Sequence, residues 1–318
     1  MSSLPLPIRV RRRLAKGVFD AAGRALPLVR QFDPLENLIL CSDPRGGSTW
    51  LGEVIGCVPG TATLWEPLDI AAVPRAAALG FGWRQHVDEA DDWPSAEQFF
   101  GDVFAGRVLN GWTLRATTPV EWLRAERMVV KFCRATALLP WLTRRFAFRY
   151  RPVHLVRHPF AVVASQLAYG AWDAPFTGFE QPVGPHTALW DAHADYLATL
   201  TTQAEALTAT WALTNGVALG HPRAGTDWTT VHYERLVMDP EPEIARVFDA
   251  WDLPVPAAAA EQVHRASATT KTATFQQGPQ AQLAKWQRHL DPADQDRMMA
   301  VLDHFGVTIY GRDVLPTL

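Results

Sequence analysis

Cysteine is scarce: three in 318 residues. None lies close to another in sequence, which excludes a disulfide framework and a cysteine-ligated zinc site. Cys41 and Cys133 fall in apolar stretches and read as inert core thiols. No run of about 18 apolar residues occurs, so no segment is long enough to span a membrane as a helix. Charge of one sign is also lacking. Thirty Lys and Arg stand against 33 Asp and Glu, a net charge of −3. No global basic field points to nucleic acid, and any anion site has to be local.

What is present is ample apolar material. Hydrophobic residues make up 48% of the chain and charged residues 20%, enough to bury a large core in one domain. We divide the chain into a basic arm over 1–30 and a domain over 31–318. The arm carries Arg9, Arg11, Arg12, Arg13 and Lys16, followed by Val18, Phe19 and Leu26, without the apolar core of a secretory signal. It reads either as a solvated helix or as a peripheral patch for a membrane surface or an anionic substrate. The expected location is cytoplasmic.

Strand and helix patterns alternate along the chain. Strands are expected near 37–42, 61–65, 127–133, 152–156 and 228–232. Helices are expected near 48–57, 119–125, 136–147, 159–169, 187–216, 241–251, 257–265 and 292–305. This order predicts an α/β fold: a single P-loop-like domain with a mostly parallel central sheet, helices on both faces and long lid loops. The last helix is the best marked, with Asp291 as its cap, Pro292 in its first turn and Gly306 at its end. Residues 69–118 and 170–190 are rich in Trp, Phe, Pro and Gly without clear periodicity and read as loops over a site.

Asn37 to Leu51 is a short apolar strand, a glycine-rich turn and a helix start. Gly46 and Gly47 allow close approach of a phosphate, the helix N-terminus offers free N–H groups, and Arg45, Ser48 and Thr49 add donors. The Gly-Lys-Ser/Thr ending of a Walker A loop is missing, which disfavours ATP with magnesium. Val153 to Leu167 repeats the plan. A strand ends in Arg157, Pro159 suits a first helical position, and Ser165 follows two turns on, able to share a face with the strand end. Two anion sites at two strand ends suggest a ligand with two separated phosphates.

These residues resemble the sulfotransferases that use 3'-phosphoadenosine 5'-phosphosulfate (PAPS). Pro44-Arg45-Gly46-Gly47-Ser48-Thr49-Trp50 matches the family's 5'-phosphosulfate loop, and Arg157, Pro159 and Ser165 match its 3'-phosphate signature. Val231 to Glu241, containing Tyr233-Glu234-Arg235-Leu236, is similar to a segment whose tyrosine lies near the adenine. Leu64-Trp65-Glu66-Pro67-Leu68 is similar to the Glu-Pro segment of carbohydrate-type members, in which the glutamate is the base. Gly278 and Ala284 to Leu290 resemble the late loop and the helix after it. Gln276-Gln277 replace that loop's Arg-Lys, leaving Lys271 or Lys285 as substitutes.

The resemblance implies transfer of a sulfuryl group from PAPS to a hydroxyl or amine of a carbohydrate, lipid or other small acceptor. Adenosine 3',5'-bisphosphate is then the product, and no metal is needed. Trp50 is expected under the adenine, and Glu66 is expected as the base. Lys131, inside Met128 to Cys133, is a lysine in an apolar strand. It is either paired with Glu66 or the sulfonate, or it blunts an edge strand; Arg134 is its alternative. The phenol- and estrogen-type members use a histidine base, for which this chain offers His154, His158, His186 and His193. Trp172, Trp190 and Trp211 are candidates to line an acceptor pocket. An ATP-dependent P-loop-like kinase or transferase, or a non-catalytic nucleotide-binding protein, is the alternative reading.

Overall fold

Five short strands form one parallel sheet: β1 (Leu38–Ser42), β2 (Thr61–Trp65), β3 (Arg127–Phe132), β4 (Val153–Val156) and β5 (Thr229–His232). The computed structural model describes residues 19, 21–170, 175–266 and 278–317. The strand order is β2-β3-β1-β4-β5, so β1 lies between β3 and β4. All five residues of β1 are buried, the continuous apolar run that a central parallel strand requires. Edge strand β2 alternates between half-buried and buried positions.

The chain runs from β1 to one side of the sheet and later returns on the other, so the crevice beside the C-terminal end of β1 is the switch point where such sheets bind ligands. The Arg45 loop follows β1 and Arg157 follows β4, its hydrogen-bonded neighbour. Lys131 pairs in register with Leu40 on one side and Trp65 on the other. It therefore lies in an interior strand, and the edge-strand explanation fails.

Helices cover both faces. One face of the sheet, with Ile39, Leu64, Val130 and Phe132, packs on Phe99, Phe100 and Phe104. The other, with Leu40, Val129 and Leu155, packs on Leu51, Val54 and Phe248. We label α1 (Ser48–Ile55), α2 (Pro94–Phe104), α3 (Pro159–Leu167), α4 (Gln203–Leu219), α5 (Tyr233–Met238) and α6 (Pro292–His304). Leu26, in a helical stretch over 21–29, is buried in the first of these clusters. The remainder of the basic arm, 1–18 and 20, lies outside the described residues.

Two expectations require correction. The single helix over 187–216 is three: Ala188–Asp191, Ala194–Leu197 and α4. The break falls where the Thr201 and Thr202 hydroxyls and backbone N–H groups all donate to the Glu205 carboxylate, a capping box that starts a new helix. The stretch 69–118 is not loop throughout, because it contains Pro74–Ala78 and α2. Both begin with a proline at the first position, and α2 buries Ala96, Phe99, Phe100, Val103 and Phe104 at helical spacing. Among the described residues no helix is long and apolar enough to cross a membrane.

Candidate active site

The turn after β1 is held in a form that only glycine allows. Gly47 has φ 99°, and a Cβ there would lie 2.5 Å from the Tyr233 ring; one on Gly46 would lie 2.3 Å from Ser42 Oγ. Gly47 caps α1 without any side chain accepting its first N–H groups, which leaves them free for an anion. Arg45 has φ 72° and Glu66 φ 41°, two of four non-glycine residues with positive φ among the described residues. Such backbone costs roughly 1–2 kcal/mol per residue and tends to gather at functional sites.

The two strand-end segments meet. Arg157 Nη1 donates to the carbonyl of Arg45 at 3.0 Å, Arg45 Nε donates to Ser165 Oγ at 3.0 Å, and Gln166 Nε2 donates to the carbonyl of Pro44 at 3.0 Å. The Arg157 guanidinium lies 4.4 Å from the centroid of the Tyr233 ring, and that of Arg45 lies 5.0 Å from Tyr169. A cleft of about 380 Å³ opens alongside, lined by Trp50, Tyr233, Met238, His264, Gly278 and Gln282 among others. That volume is within the range of small-molecule sites. Trp50 and Tyr233 pack edge to face, 6.0 Å between centroids, and Gln282 Nε2 donates to the Tyr233 hydroxyl at 2.7 Å.

Across β1, Lys131 Nζ donates to Glu66 Oε1 at 2.8 Å and Arg134 Nη1 donates to Oε2 at 3.0 Å. Trp65 lies beneath the ammonium, its centroid 3.9 Å from Nζ. Burial pushes the Glu66 carboxyl up, but the charges of Lys131 and Arg134 outweigh it and hold the group below its ordinary value. Burial pulls Lys131 down, but the Glu66 carboxylate beside it leaves it raised. Cys133 is more than a core thiol: its Sγ accepts from Lys131 Nζ at 3.3 Å and lies 3.4 Å from Ser48 Oγ. Burial first, then the Glu66 charge, push it to about 11. It stays a thiol at neutral pH.

Each of the four histidines considered as an alternative base has a partner within the protein. His154 is fully buried with Nε2 3.0 Å from Asn215 Oδ1. His158 accepts from the Phe160 N–H, and its Nε2 lies 3.1 and 3.0 Å from the carbonyls of Gly311 and Asp313. Burial takes both imidazoles down to about 4. His186 pairs with Asp91 at 2.9 Å, and His193 packs on Phe305. Trp190 and Trp211 are buried, and Trp211 Nε1 donates to the carbonyl of Arg157; they pack rather than line a pocket. Trp172, Lys271, Gln276 and Gln277 lie outside the described residues. Lys285 is exposed; the late segment reaches the cleft through Gly278 and Gln282, while Trp286 is buried against His158.

Sequence reasoning missed Asp43, Arg84 and Asn215. Asn215 Nδ2 donates to the Asp43 carboxylate below the loop, and a buried Asn in an otherwise Ala- and Leu-rich helix was the available signal. Arg84 had none.

A profile described as the sulfotransferase family matches residues 38–257. No curated protein matches the chain. The structure is similar to the sulfotransferase domain of the Synechococcus PCC 7002 olefin synthase, with 18% identity, 86% of this chain and 96% of that one covered, and a TM-score of 0.45. It is also similar to mouse sulfotransferase SULT7A1, solved with PAP, with 11% identity, 90% and 88% covered, and a TM-score of 0.47.

Proposed function

Because the chain belongs to the sulfotransferase family, we propose that it moves a sulfuryl group from PAPS to a hydroxyl or amine of a carbohydrate, lipid or other small acceptor. One observation carries the choice of donor. Two cation-bearing strand ends are joined through the bonds Arg157 to Arg45 and Arg45 to Ser165, beside a cleft floored by Trp50 and Tyr233. This fits a nucleotide with a phosphate at each end of its ribose.

Gly46, Gly47, Ser48 and Thr49 hold the 5'-phosphosulfate through backbone N–H groups and hydroxyls, with Arg45 adding charge. Arg157 and Ser165 hold the 3'-phosphate. Trp50 and Tyr233 supply an apolar surface for the adenine. An acceptor oxygen bonds to sulfur as the bond from sulfur to the 5'-phosphate oxygen breaks; Glu66 takes the acceptor proton, and adenosine 3',5'-bisphosphate is released. Lys131 orients Glu66 and places positive charge near the sulfonate.

The test is binding without metal. Adenosine 3',5'-bisphosphate at a hundredfold excess over its dissociation constant should stabilise the protein by about 2.7 kcal/mol, seen as a rise in melting temperature, whereas ATP with magnesium should not. Arg157→Ala should weaken that binding by about 2 kcal/mol, the worth of a charge-assisted bond to phosphate. No shift at millimolar ligand would overturn the PAPS reading.

A further inference from the structure

The Glu66 pair has a further cation beside it that the reaction as described leaves unused. Residues 110–117 run along edge strand β2: the Trp65 N–H donates to the carbonyl of Thr113 at 2.9 Å, and the Thr63 N–H donates to Thr117 Oγ1 at 2.8 Å. Trp112 Nε1 donates to the backbone carbonyl of Glu66 at 3.3 Å, so this segment is fixed to the residue proposed as the base. From it Arg115 reaches over two indoles. Its guanidinium lies 4.6 Å from the centroid of Trp112 and 5.4 Å from that of Trp65. Trp65 is also the ring that carries Lys131 Nζ at 3.9 Å.

Charge singles Arg115 out. Glu66 and Asp69 are matched by Lys131 and Arg134, which neutralises those two cations. Arg115 is exposed, and among the described residues no carboxylate or carbonyl accepts from its guanidinium. It is therefore the surplus positive charge at the end of β2 from which Glu66 extends. A guanidinium held over indole rings is weakly hydrated and already ordered, and its fork of N–H groups remains open to an oxyanion. Because Arg115 is exposed, a ligand meets it without displacing any side chain. Across Glu66, the Arg134 guanidinium lies 4.4 Å from the centroid of Trp83, which is 45% exposed and offers an apolar face to a ring.

We propose that Arg115 selects the acceptor: it binds an acidic group, whether carboxylate, phosphate or sulfate, on a hydroxylated ring compound whose hydroxyl meets Glu66. This deepens the sulfotransferase reading above and rests on it. Lys131 and Arg115 share the Trp65 ring, so the hydroxyl and the acid are close enough to belong to one small molecule, or to one residue of a larger one.

The probes are three pairs of hydroxylated compounds, each an acid with a neutral counterpart: glucuronate and glucuronamide, glucose 6-phosphate and glucose, galactose 6-sulfate and galactose. Each is titrated into protein saturated with adenosine 3',5'-bisphosphate, so that the phosphate loops are filled, and the rise in melting temperature is followed. In the wild type at least one acid should reach a given rise at about a tenth or less of the concentration its counterpart needs, as a charge-assisted bond implies. The acid that does so identifies the group. Arg115→Gln, and Arg115→Met with its stem still packed on the indoles, should each need at least about tenfold more of that acid, with the neutral counterpart unchanged within about threefold. The dissociation constant of the bisphosphate should agree within about threefold among the three proteins, which shows the variants folded. The assignment is overturned if no acid outperforms its counterpart in the wild type, if the variants keep the preference, or if they lose acid and neutral compound alike, as a purely structural role would require. Failure of the bisphosphate to bind the wild type overturns the sulfotransferase reading itself, and the inference with it.

Discussion

Lys131 has 2% of its side chain exposed and Glu66 13%, so each needs the other to stay charged inside the protein. That mutual need sets the chemistry. With both oxygens occupied by Lys131 and Arg134, Glu66 is ionised at neutral pH but a weak base in the resting state. An acceptor hydroxyl that displaces one cation would strengthen it where the proton is to be taken. Glu66→Gln keeps the shape and an oxygen for Lys131 while removing the base, so turnover should fall by about a hundredfold or more with bisphosphate affinity held within about threefold. Removing a cation should act in the opposite sense on the titration. The carboxyl is held low in part by Arg134, so Arg134→Met should move the acid limb of kcat/KM to higher pH. A limb that stays in place, in a variant whose Glu66→Gln counterpart is inactive, would show that Arg134 does not govern the proton acceptor.

At the scale of elements, the strand-turn-helix from β1 into α1 was legible because its signals are local: an apolar run, two glycines and hydroxyls at a helix start. The same holds for β4 into α3. All five strands were legible for the same reason, each matching its expected range to within a residue at either end. What escaped was set by tertiary packing or masked by composition. Helix α2 follows helical spacing with Phe99, Phe100, Val103 and Phe104, but the aromatic and proline density around it hid the period. Trp190 and Trp211 carried no sign of whether they faced a pocket or the core. Arg84 meets Asp43 and Arg134 only where the stretch between Pro74–Ala78 and α2 crosses the ends of β1 and β3. Nor could the sequence reveal why Gly47 must be glycine, since Tyr233, 186 positions later, fills the space of its Cβ. Gly47→Ala therefore pushes on α5 as well as straining the turn. Stability should fall by at least about 1–2 kcal/mol from the positive φ alone, and bisphosphate affinity by tenfold or more as Tyr233 is displaced toward Arg157. Calorimetry on the folded variant checks this, and wild-type affinity would show that the loop and α5 move independently.

At the scale of the whole molecule, three buried imidazoles tie the sheet to what surrounds it. His154 in β4 holds Asn215 of α4. His158 holds the carbonyls of Gly311 and Asp313. His232, at the end of β5, lies 3.1 Å through Nδ1 from the Tyr310 hydroxyl, which in turn donates to Glu234. Burial is the main cause that lowers all three to about 4 from an ordinary 6.5. A folded-state value below the unfolded one means that the unfolded chain binds more protons in between. The stability these groups contribute is complete above about pH 6.5 and is lost as pH falls through about 4. Asp43 and Glu234, raised mainly by burial, act in the opposite sense, so the histidine contribution is best read by difference. Each imidazole should add about 1.4 kcal/mol of stability per pH unit within the window. His158→Gln keeps a side-chain donor for the carbonyls of Gly311 and Asp313 but cannot titrate, so its unfolding free energy should depend on pH between 6.5 and 4.5 less steeply than that of the wild type by that amount. Denaturant unfolding at intervals of half a pH unit measures the two slopes. Equal slopes would mean that His158 accepts its proton within the folded protein. In that case the C-terminal segment over 310–313 and the Arg157 strand end beside it would separate in acid before the sheet unfolds.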